Sequence, residues 1–151
     1  MRFLITLIVS ISLLCTPVYV EAKSTPEIVL EGKLSSNYGR RLHPISKIYK
    51  IHHGIDLKLQ NPTVYTPVDG VIKSAKWERG YGNTVRIILD NGDEIMFAHL
   101  KSFSVKPKQI VESGESIGIV GSTGHTTGIH LHVEYRINDK RINPLNVIEL
   151  K

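Results

Sequence analysis

Short runs of β-branched and aromatic residues alternate with Gly, Pro, Asn and Asp along most of the chain, and no helical period of useful length appears after residue 23. Such runs, bounded by turn-forming residues, are typical of β-strands. The hydrophobic pattern therefore predicts an all-β domain. The predicted strands are Ile48–Ile51, Val64–Thr66, Gly70–Ala75, Asn83–Leu89, Glu94–His99, Ser116–Val120 and His130–Ile137.

Two chain reversals are predicted from their turn residues. The Asn-Gly pair at 91–92 predicts a two-residue hairpin loop, and the Asn-Asp-Lys segment at 138–140 predicts a second tight reversal. In the first hairpin, a two-residue loop would pair Leu89 with Glu94 and would place His99 at the rim of an apolar sheet face. A histidine in that position is either a satisfied core residue or part of a site.

The first 22 residues predict an export signal. A positive start is followed by the apolar run Phe3–Cys15, which is too short for an ordinary membrane span, and by small residues for cleavage at 20–22. The short run disfavours an uncleaved anchor, and Leu14 disfavours a lipid anchor at Cys15, because such sites need a small residue before the cysteine. The expected organisation is a signal peptide over 1–22, a short lead-in over 23–34 and one domain over 35–151.

Composition narrows the chemistry that this domain can perform. The chain has 151 residues, seven His, one Cys and a formal net charge of +5. A single cysteine excludes an internal disulfide framework and a multi-cysteine zinc site, so any metal must be held by nitrogen and oxygen ligands. Cleavage after Ala22 would leave a mature chain without thiols, as suits an oxidising compartment. The modest positive charge indicates mildly acidic partners.

The first histidine cluster lies on a predicted strand. Because side chains alternate along a strand, His130, His132 and Glu134 point to the same side. Two imidazoles on one sheet face form a candidate metal site, although a solvated edge strand would also explain them. Glu134 could hydrogen-bond a ligand or form an ion pair with an arginine.

The second cluster is the segment His-His-Gly-Ile-Asp at 52–56. On a straight strand His52 and Asp56 would lie about 13 Å apart, so a shared ion requires a bend, which Gly54 permits. Taken alone, the segment could equally be a polar turn. Together the clusters offer two histidines and one carboxylate, which is the ligand count of a catalytic zinc site with a position left for water. His99 and one histidine of the first cluster remain as candidate bases.

Four segments, in this order, resemble the lysostaphin-type (LytM-like) zinc endopeptidases of bacterial cell walls. They are Ser35–Pro44, the HxGxD motif at 52–56, Phe97–Leu100, and Gly121–Gly124 followed by the closing His-x-His at 130–132. The resemblance runs from about Ser35 to Pro144, so 35–151 is expected to be a peptidase domain. It implies a small antiparallel β domain of the duplicated hybrid motif type with a metal-containing groove. It also implies hydrolysis of peptide bonds in peptidoglycan stem peptides or cross-links.

The resemblance assigns roles that spacing alone leaves open. It implies that His52, Asp56 and His132 hold one zinc ion per chain. It implies that His99 and His130 are the catalytic histidines. His130 would accept a proton from a water held by the metal, and His99, as an imidazolium, would stabilise the oxyanion.

Further expectations concern the substrate and the location of the protein. Arg41, His43, Tyr38 and Tyr81 are candidate contacts along the substrate groove. The expected partner is peptidoglycan, with no nucleic acid, no stable membrane insertion after signal cleavage, and a monomeric chain. The protein is expected to be exported and to act in the periplasm, at the cell surface or as a secreted enzyme.

Two other classes of protein compete with the peptidase interpretation. The first is a non-catalytic member of the same fold that activates another wall hydrolase, but such proteins usually lose ligands and all five key positions are filled here. The second is a biotinyl- or lipoyl-type carrier, which the segments 66–71 and 114–118 resemble. A carrier needs a lysine in the turn that follows, and 121–124 contains none. The carrier interpretation is therefore set aside.

Overall fold

The computed structural model describes residues 28–42 and 47–151. The expected signal peptide, the start of the expected lead-in and His43 lie outside these residues. Within the two described stretches, no helix combines the length and apolar character needed to cross a membrane. The strands are β1 (Ile28–Leu30), β2 (Lys33–Ser36), β3 (Gly39–Leu42), β4 (Tyr49–His52), β5 (Ile55–Lys58), β6 (Thr63–Tyr65), β7 (Gly70–Glu78), β8 (Gly82–Ile88), β9 (Glu94–Phe103), β10 (Ile110–Val111), β11 (Ser116–Val120), β12 (Leu131–Ile137), β13 (Lys140–Ile142) and β14 (Ile148–Leu150).

Ten of these strands form one antiparallel sheet with the order β10-β7-β8-β9-β12-β5-β2, in which β11 joins β9 to β6 and β13 lies beside β12. Two smaller pairs complete the fold: β1 runs parallel to β14, and β3 pairs with β4 as a separate hairpin. A single 3-10 turn at Pro144–Asn146 is the only helical element among the described residues. The all-β prediction is therefore confirmed.

The core lies along the central strands of the main sheet. In β9 every residue from Glu94 to Leu100 is buried, which is why residues 95–98 are all apolar instead of alternating with polar residues. Phe97 is fully buried and lies opposite Val85 on β8 and Val133 on β12. Two of these strands carry residues of the functional site, His99 on β9 and His132 on β12, so the packed core fixes the backbone positions of both.

The predicted hairpin at 138–140 is confirmed, because Ile137 pairs with Lys140 and both loop residues, Asn138 and Asp139, have positive φ values of 49° and 62°. This backbone is that of a type I′ turn, whose twist matches the flanking strands. Asn and Asp tolerate positive φ better than most residues, which explains their presence in the loop.

The loop near 91–92 is one residue longer than predicted, and the expected pairing of Leu89 with Glu94 is wrong. The Leu89 N–H donates to the Asp93 carbonyl at 2.9 Å, and the Gly92 N–H donates to the Leu89 carbonyl at 2.9 Å. Gly92 has a φ of 85°, as in a type I turn followed by a left-handed residue. The Asn91 side chain accepts a bond from the Asp93 N–H at 3.0 Å and stabilises this longer loop.

The described residues include strand structure before Ser35, where the peptidase domain is expected to begin. β1 and the start of β2 lie in the stretch interpreted as a lead-in, and Ile28 and Leu30 are buried against the core. The β1 residues pair with the chain's final strand, Ile28 opposite Ile148 and Leu30 opposite Leu150. The described fold therefore includes residues from Ile28 onward.

Candidate metal centre and groove

Three predicted ligands meet where the β3–β4 hairpin joins the main sheet. His52 ends β4, Asp56 lies in β5, and His132 lies in β12 directly opposite Asp56 in the ladder. The chain turns between β4 and β5 at Gly54, which is buried against β12. A Cβ atom at Gly54 would strike the Val133 carbonyl and would lie 2.9 Å from the His132 ring. Glycine therefore permits both the predicted bend and its close passage beside His132.

Gly54→Ala is expected to weaken both the fold and the metal site. The added methyl group must displace the Val133 backbone or the His132 ring, which costs about 1–3 kcal/mol of unfolding free energy. The measurements are urea unfolding of the metal-free protein and a metal titration. Gly128→Ala is the matched control, since a Cβ there meets open space. Equal effects of the two substitutions would contradict this account.

The three candidate ligand atoms form a nearly regular triangle. Nε2 of His52 lies 3.1 Å from both Nδ1 of His132 and Oδ1 of Asp56, and the latter two atoms are 2.8 Å apart. A tetrahedral zinc ion with bonds of about 2.0–2.1 Å holds its ligands about 3.3 Å apart. Two imidazole nitrogens and a carboxylate oxygen are also a ligand set that zinc uses. The residues present therefore fit a metal ion.

Hydrogen bonds set which nitrogen each ligand histidine offers. A carbonyl oxygen only accepts, so the 2.8 Å contact between His52 Nδ1 and the Asn37 carbonyl places the proton on Nδ1 and leaves Nε2 free to ligate. His132 is reversed, with Nδ1 in the triangle and Nε2 buried without a hydrogen bond among the described residues, 3.6 Å from Oε1 of Glu134. Metal at Nδ1 would put the His132 proton on Nε2, facing that carboxylate.

Asp56 is ionised in this environment. Burial by itself raises the pKa of the Asp56 carboxyl, but the close contacts with His132 and His52 outweigh it and hold the pKa far below its usual range. Its second oxygen, Oδ2, lies 3.5 Å from the Arg41 guanidinium. Arg41 thus reaches the edge of the metal centre.

Glu134 lies behind His132 in a fully buried position. It accepts hydrogen bonds from the Tyr81 hydroxyl at 2.6 Å, from Arg141 Nε at 2.8 Å and from Arg136 at 3.1 Å. Burial raises its pKa, but contacts with His132, Tyr81 and Arg141 lower it well below the ordinary range. The sequence indicated that Glu134 could contact a ligand or an arginine, and the structure shows it contacting both kinds of residue. The Tyr81 hydroxyl, predicted to face substrate, is engaged with Glu134.

Glu134→Gln is expected to lower metal affinity about 10–100-fold, because the amide cannot supply the negative charge that orients and polarises His132. Chelator competition with the purified protein measures this loss. Glu94→Gln is the matched control. Glu94 is also buried and shares Arg136 with Glu134, but its other partners are Lys73 and Arg86, and it has no contact with His132. The same loss of metal affinity in both variants would show that general destabilisation causes the effect.

His99 is held in an unusual backbone conformation. Its φ is 60°, and the pairing of β9 with β8 shifts between Asn83 and Val85, so the strand alternation is interrupted beside it. The His99 N–H donates to the Tyr81 carbonyl at 2.9 Å, which fixes this bulge. Its ring lies 4.9 Å from the His130 ring, centroid to centroid. The irregularity brings His99 from the rim of an apolar face into the groove.

Hydrogen bonds also set which nitrogen each candidate catalytic histidine leaves free. Nδ1 of His99 donates to the Thr123 carbonyl at 2.8 Å, and Nδ1 of His130 donates to the Gly128 carbonyl at 2.9 Å. These bonds leave each Nε2 with a lone pair. His130 Nε2 lies 3.5 Å from Asp56 Oδ1. The structure therefore gathers all five predicted metal and catalytic residues around one point.

The resting charge of His99 differs from the sequence expectation. Burial, with smaller contributions from the neighbouring His132 and His130, lowers the pKa of His99 to about 4. This pKa favours a neutral His99 at pH 7, whereas the family resemblance implies that His99 acts on the oxyanion as an imidazolium. A neutral His99 that donates from Nδ1 can only accept at Nε2, so it offers no N–H group to an oxyanion.

The groove above the metal centre has a volume of about 280 Å³ and is lined by Arg41, Lys50, Ile51, His52, His53, Asp56, Gly80, Tyr81, His99, His125, Thr126, Thr127, His130, His132 and Glu134. Of the four predicted substrate contacts, Arg41 and Tyr81 line it. Tyr38 instead packs against the core, and its hydroxyl lies 3.5 Å from the Arg141 carbonyl. His43 lies outside the described residues.

Comparison with known proteins extends these observations. The model of "Peptidase family M23" matches residues 50–144. The chain is 46% identical over 122 residues to the DD-carboxypeptidase/endopeptidase Mpg of Neisseria meningitidis serogroup B, covering 80% of this chain and 28% of that protein. It is 37% identical over 115 residues to the peptidoglycan DD-endopeptidase ShyA of Vibrio cholerae, covering 75% of this chain and 27% of that protein.

A solved structure of similar fold supports the same family relationship. The catalytic domain of lysostaphin from Staphylococcus simulans superposes with a TM-score of 0.68 at 29% identity, covering 76% of this chain and 90% of that domain. The chain spans less than a third of the length of the two curated relatives named above. The lysostaphin-type resemblance inferred from the motifs is confirmed, and the chain belongs to peptidase family M23.

Proposed function

We propose that this protein is a zinc-dependent endopeptidase that hydrolyses peptide bonds in peptidoglycan stem peptides or cross-links, with one zinc ion per chain. The observation that carries the proposal is the triangle of His52, Asp56 and His132 with the Nε2 lone pairs of His99 and His130 beside it. This arrangement provides three ligands, space for a water, and two proton acceptors. The relatives named for peptidoglycan DD-endopeptidase activity support the choice of substrate.

The arrangement of side chains suits amide hydrolysis. When bound, a zinc ion supplies a Lewis acid and lowers the pKa of a neighbouring water. His130 accepts the proton of the attacking water at Nε2, because Asp56 Oδ1 at 3.5 Å favours the resulting imidazolium. His99 accepts a hydrogen bond from the same water at Nε2 and orients it towards the amide carbonyl. The His130 imidazolium then donates its proton to the leaving amine.

We also propose that residues 1–22 act as a cleaved signal peptide and that the protein works in the periplasm or at the cell surface. Peptidoglycan, which is found outside the cytoplasmic membrane, is the expected partner, and neither nucleic acid nor a second protein chain is required. The net charge of +5 favours contact with a wall whose stem peptides carry carboxylates. Mass spectrometry of the protein recovered from cells would show whether the mature chain begins at Lys23.

Digestion of purified peptidoglycans tests the proposed activity. Zinc-loaded protein is incubated with walls of different cross-link types, and mass spectrometry identifies the new amino and carboxyl termini. The expected result is cleavage at one type of peptide bond, lost on chelation and restored by zinc. Folded, zinc-loaded protein that produces no new termini from any wall would overturn the proposal and favour a non-catalytic activator of another hydrolase.

A further inference from the structure

The β3–β4 hairpin forms one wall of the groove and has two different faces. Its register pairs Arg41 with Lys50 and pairs Arg40 with Ile51. Because side chains alternate along a strand, Arg41 and Lys50 share one face, and both line the groove. Arg40 and Ile51 belong to the other face. Ile51 also borders the groove, whereas the Arg40 guanidinium lies 4.8 Å from the centre of the Tyr49 ring. The wall therefore presents two adjacent cations to the groove.

Two like charges directly opposite each other in an antiparallel pair destabilise the pairing, so a compensating anion is expected nearby. The carboxylates that line the groove are Asp56 and Glu134. Asp56 belongs to the metal triangle and forms an ion pair with Arg41 at 3.5 Å, while Glu134 is fully buried behind His132. Lys50 has no ion pair with any residue in the described ranges. The wall thus carries surplus positive charge beside the metal centre.

The chemistry of this wall indicates what it binds. A guanidinium next to an ammonium suits a carboxylate, which accepts directed hydrogen bonds from the first and is attracted to the compact charge of the second. We propose that Arg41 and Lys50 form a subsite for a free carboxylate of the substrate, close to the bond that is cut. The inference rests on the proposed function. It defines the substrate class as stem peptides whose carboxyl group at this position is free rather than amidated.

The test uses two soluble stem-peptide substrates that differ only in one carboxyl group, free in the first and a carboxamide in the second. The wild-type protein is expected to cleave the free acid with a kcat/KM about tenfold higher, mostly through KM. Lys50→Gln is expected to reduce this preference to about two- to threefold, and Lys50→Arg to retain most of it. Lys58→Gln is the matched control, because Lys58 is an exposed lysine of β5 that does not line this groove.

Each result decides between the alternatives. A wild-type preference below twofold, or a preference that Lys50→Gln leaves intact, would overturn the subsite. If the wild-type protein cleaves neither peptide, the proposed function fails, and a binding titration of the zinc-loaded protein with the same two peptides then decides the subsite. Tighter binding of the free acid that Lys50→Gln removes would support it. Equal binding of both peptides would reject it.

Discussion

His132→Ala is expected to abolish metal binding and hydrolysis together. Nδ1 of His132 lies within about hydrogen-bond distance of both other candidate ligand atoms, 3.1 Å from His52 Nε2 and 2.8 Å from Asp56 Oδ1. Without it, two ligands remain, which is fewer than the three protein ligands of catalytic zinc sites. Because the metal supplies several kcal/mol of transition-state stabilisation, activity should fall by about 10³-fold or more. Metal analysis and release of wall fragments measure the two losses.

A neighbouring histidine provides the control for this variant. His53 also lines the groove but lies outside the triangle, so His53→Ala should retain metal at the wild-type stoichiometry. Unfolding of the metal-free proteins must be compared as well, because His132 is buried and its truncation creates a cavity. Stoichiometric, tightly bound zinc in folded His132→Ala would disprove the ligand assignment.

His130→Ala and His99→Ala are expected to retain the metal and lose activity. Neither residue contributes an atom to the triangle, and each offers a lone pair at Nε2 that is required only for moving or orienting a proton. Removal of a general base costs about 10²–10⁴-fold in rate. His130→Ala should lie at the severe end of this range, because His130 carries the proton in both steps. His99→Ala should be milder, because it loses orientation of the water.

The decisive readout for these two variants is metal content measured beside the rate. Loss of metal from both would contradict their assignment as non-ligands. If His99→Ala lost more activity than His130→Ala, His99 would be assigned as the proton acceptor and His130 as the residue that orients the water. Thr126→Val is a control that changes the surroundings of His130 without removing its ring. The Thr126 hydroxyl lies 3.2 Å from His130 Nδ1, the nitrogen that faces away from the metal centre.

Much of the fold could be predicted from local sequence patterns. The all-β class followed from short apolar runs between turn residues, and the Asn138-Asp139 turn followed from residues that accept positive φ. The loop at 91–92 was misjudged because an Asn-Gly pair fits both a two-residue loop and the end of a three-residue loop. β1 was not predicted, because a strand of three residues is too short to show a pattern of its own. It is a strand because it pairs with β14 at the other end of the chain.

The site was predicted less completely from residues alone. Spacing could not choose His52 over His53 or His132 over His130, because that choice depends on the turn at Gly54 and on the register that sets His132 opposite Asp56. The family motifs supplied those assignments. The lowered pKa of His99 depends on its burial, and the hydrogen bond from Tyr81 to Glu134 joins segments that are far apart in the chain. Neither feature could be predicted from the local sequence.

The separation of the β3–β4 hairpin from the main sheet gives the metal centre a mechanical role. His52 belongs to the hairpin, whereas Asp56 and His132 belong to adjacent strands of the main sheet. An isolated two-stranded hairpin is only marginally stable in water. A metal ion shared by these three residues would act as a cross-link between two pieces of secondary structure, as a disulfide does in other small domains. Removal of such an ion would then loosen the attachment of this hairpin to the main sheet as well as empty the site.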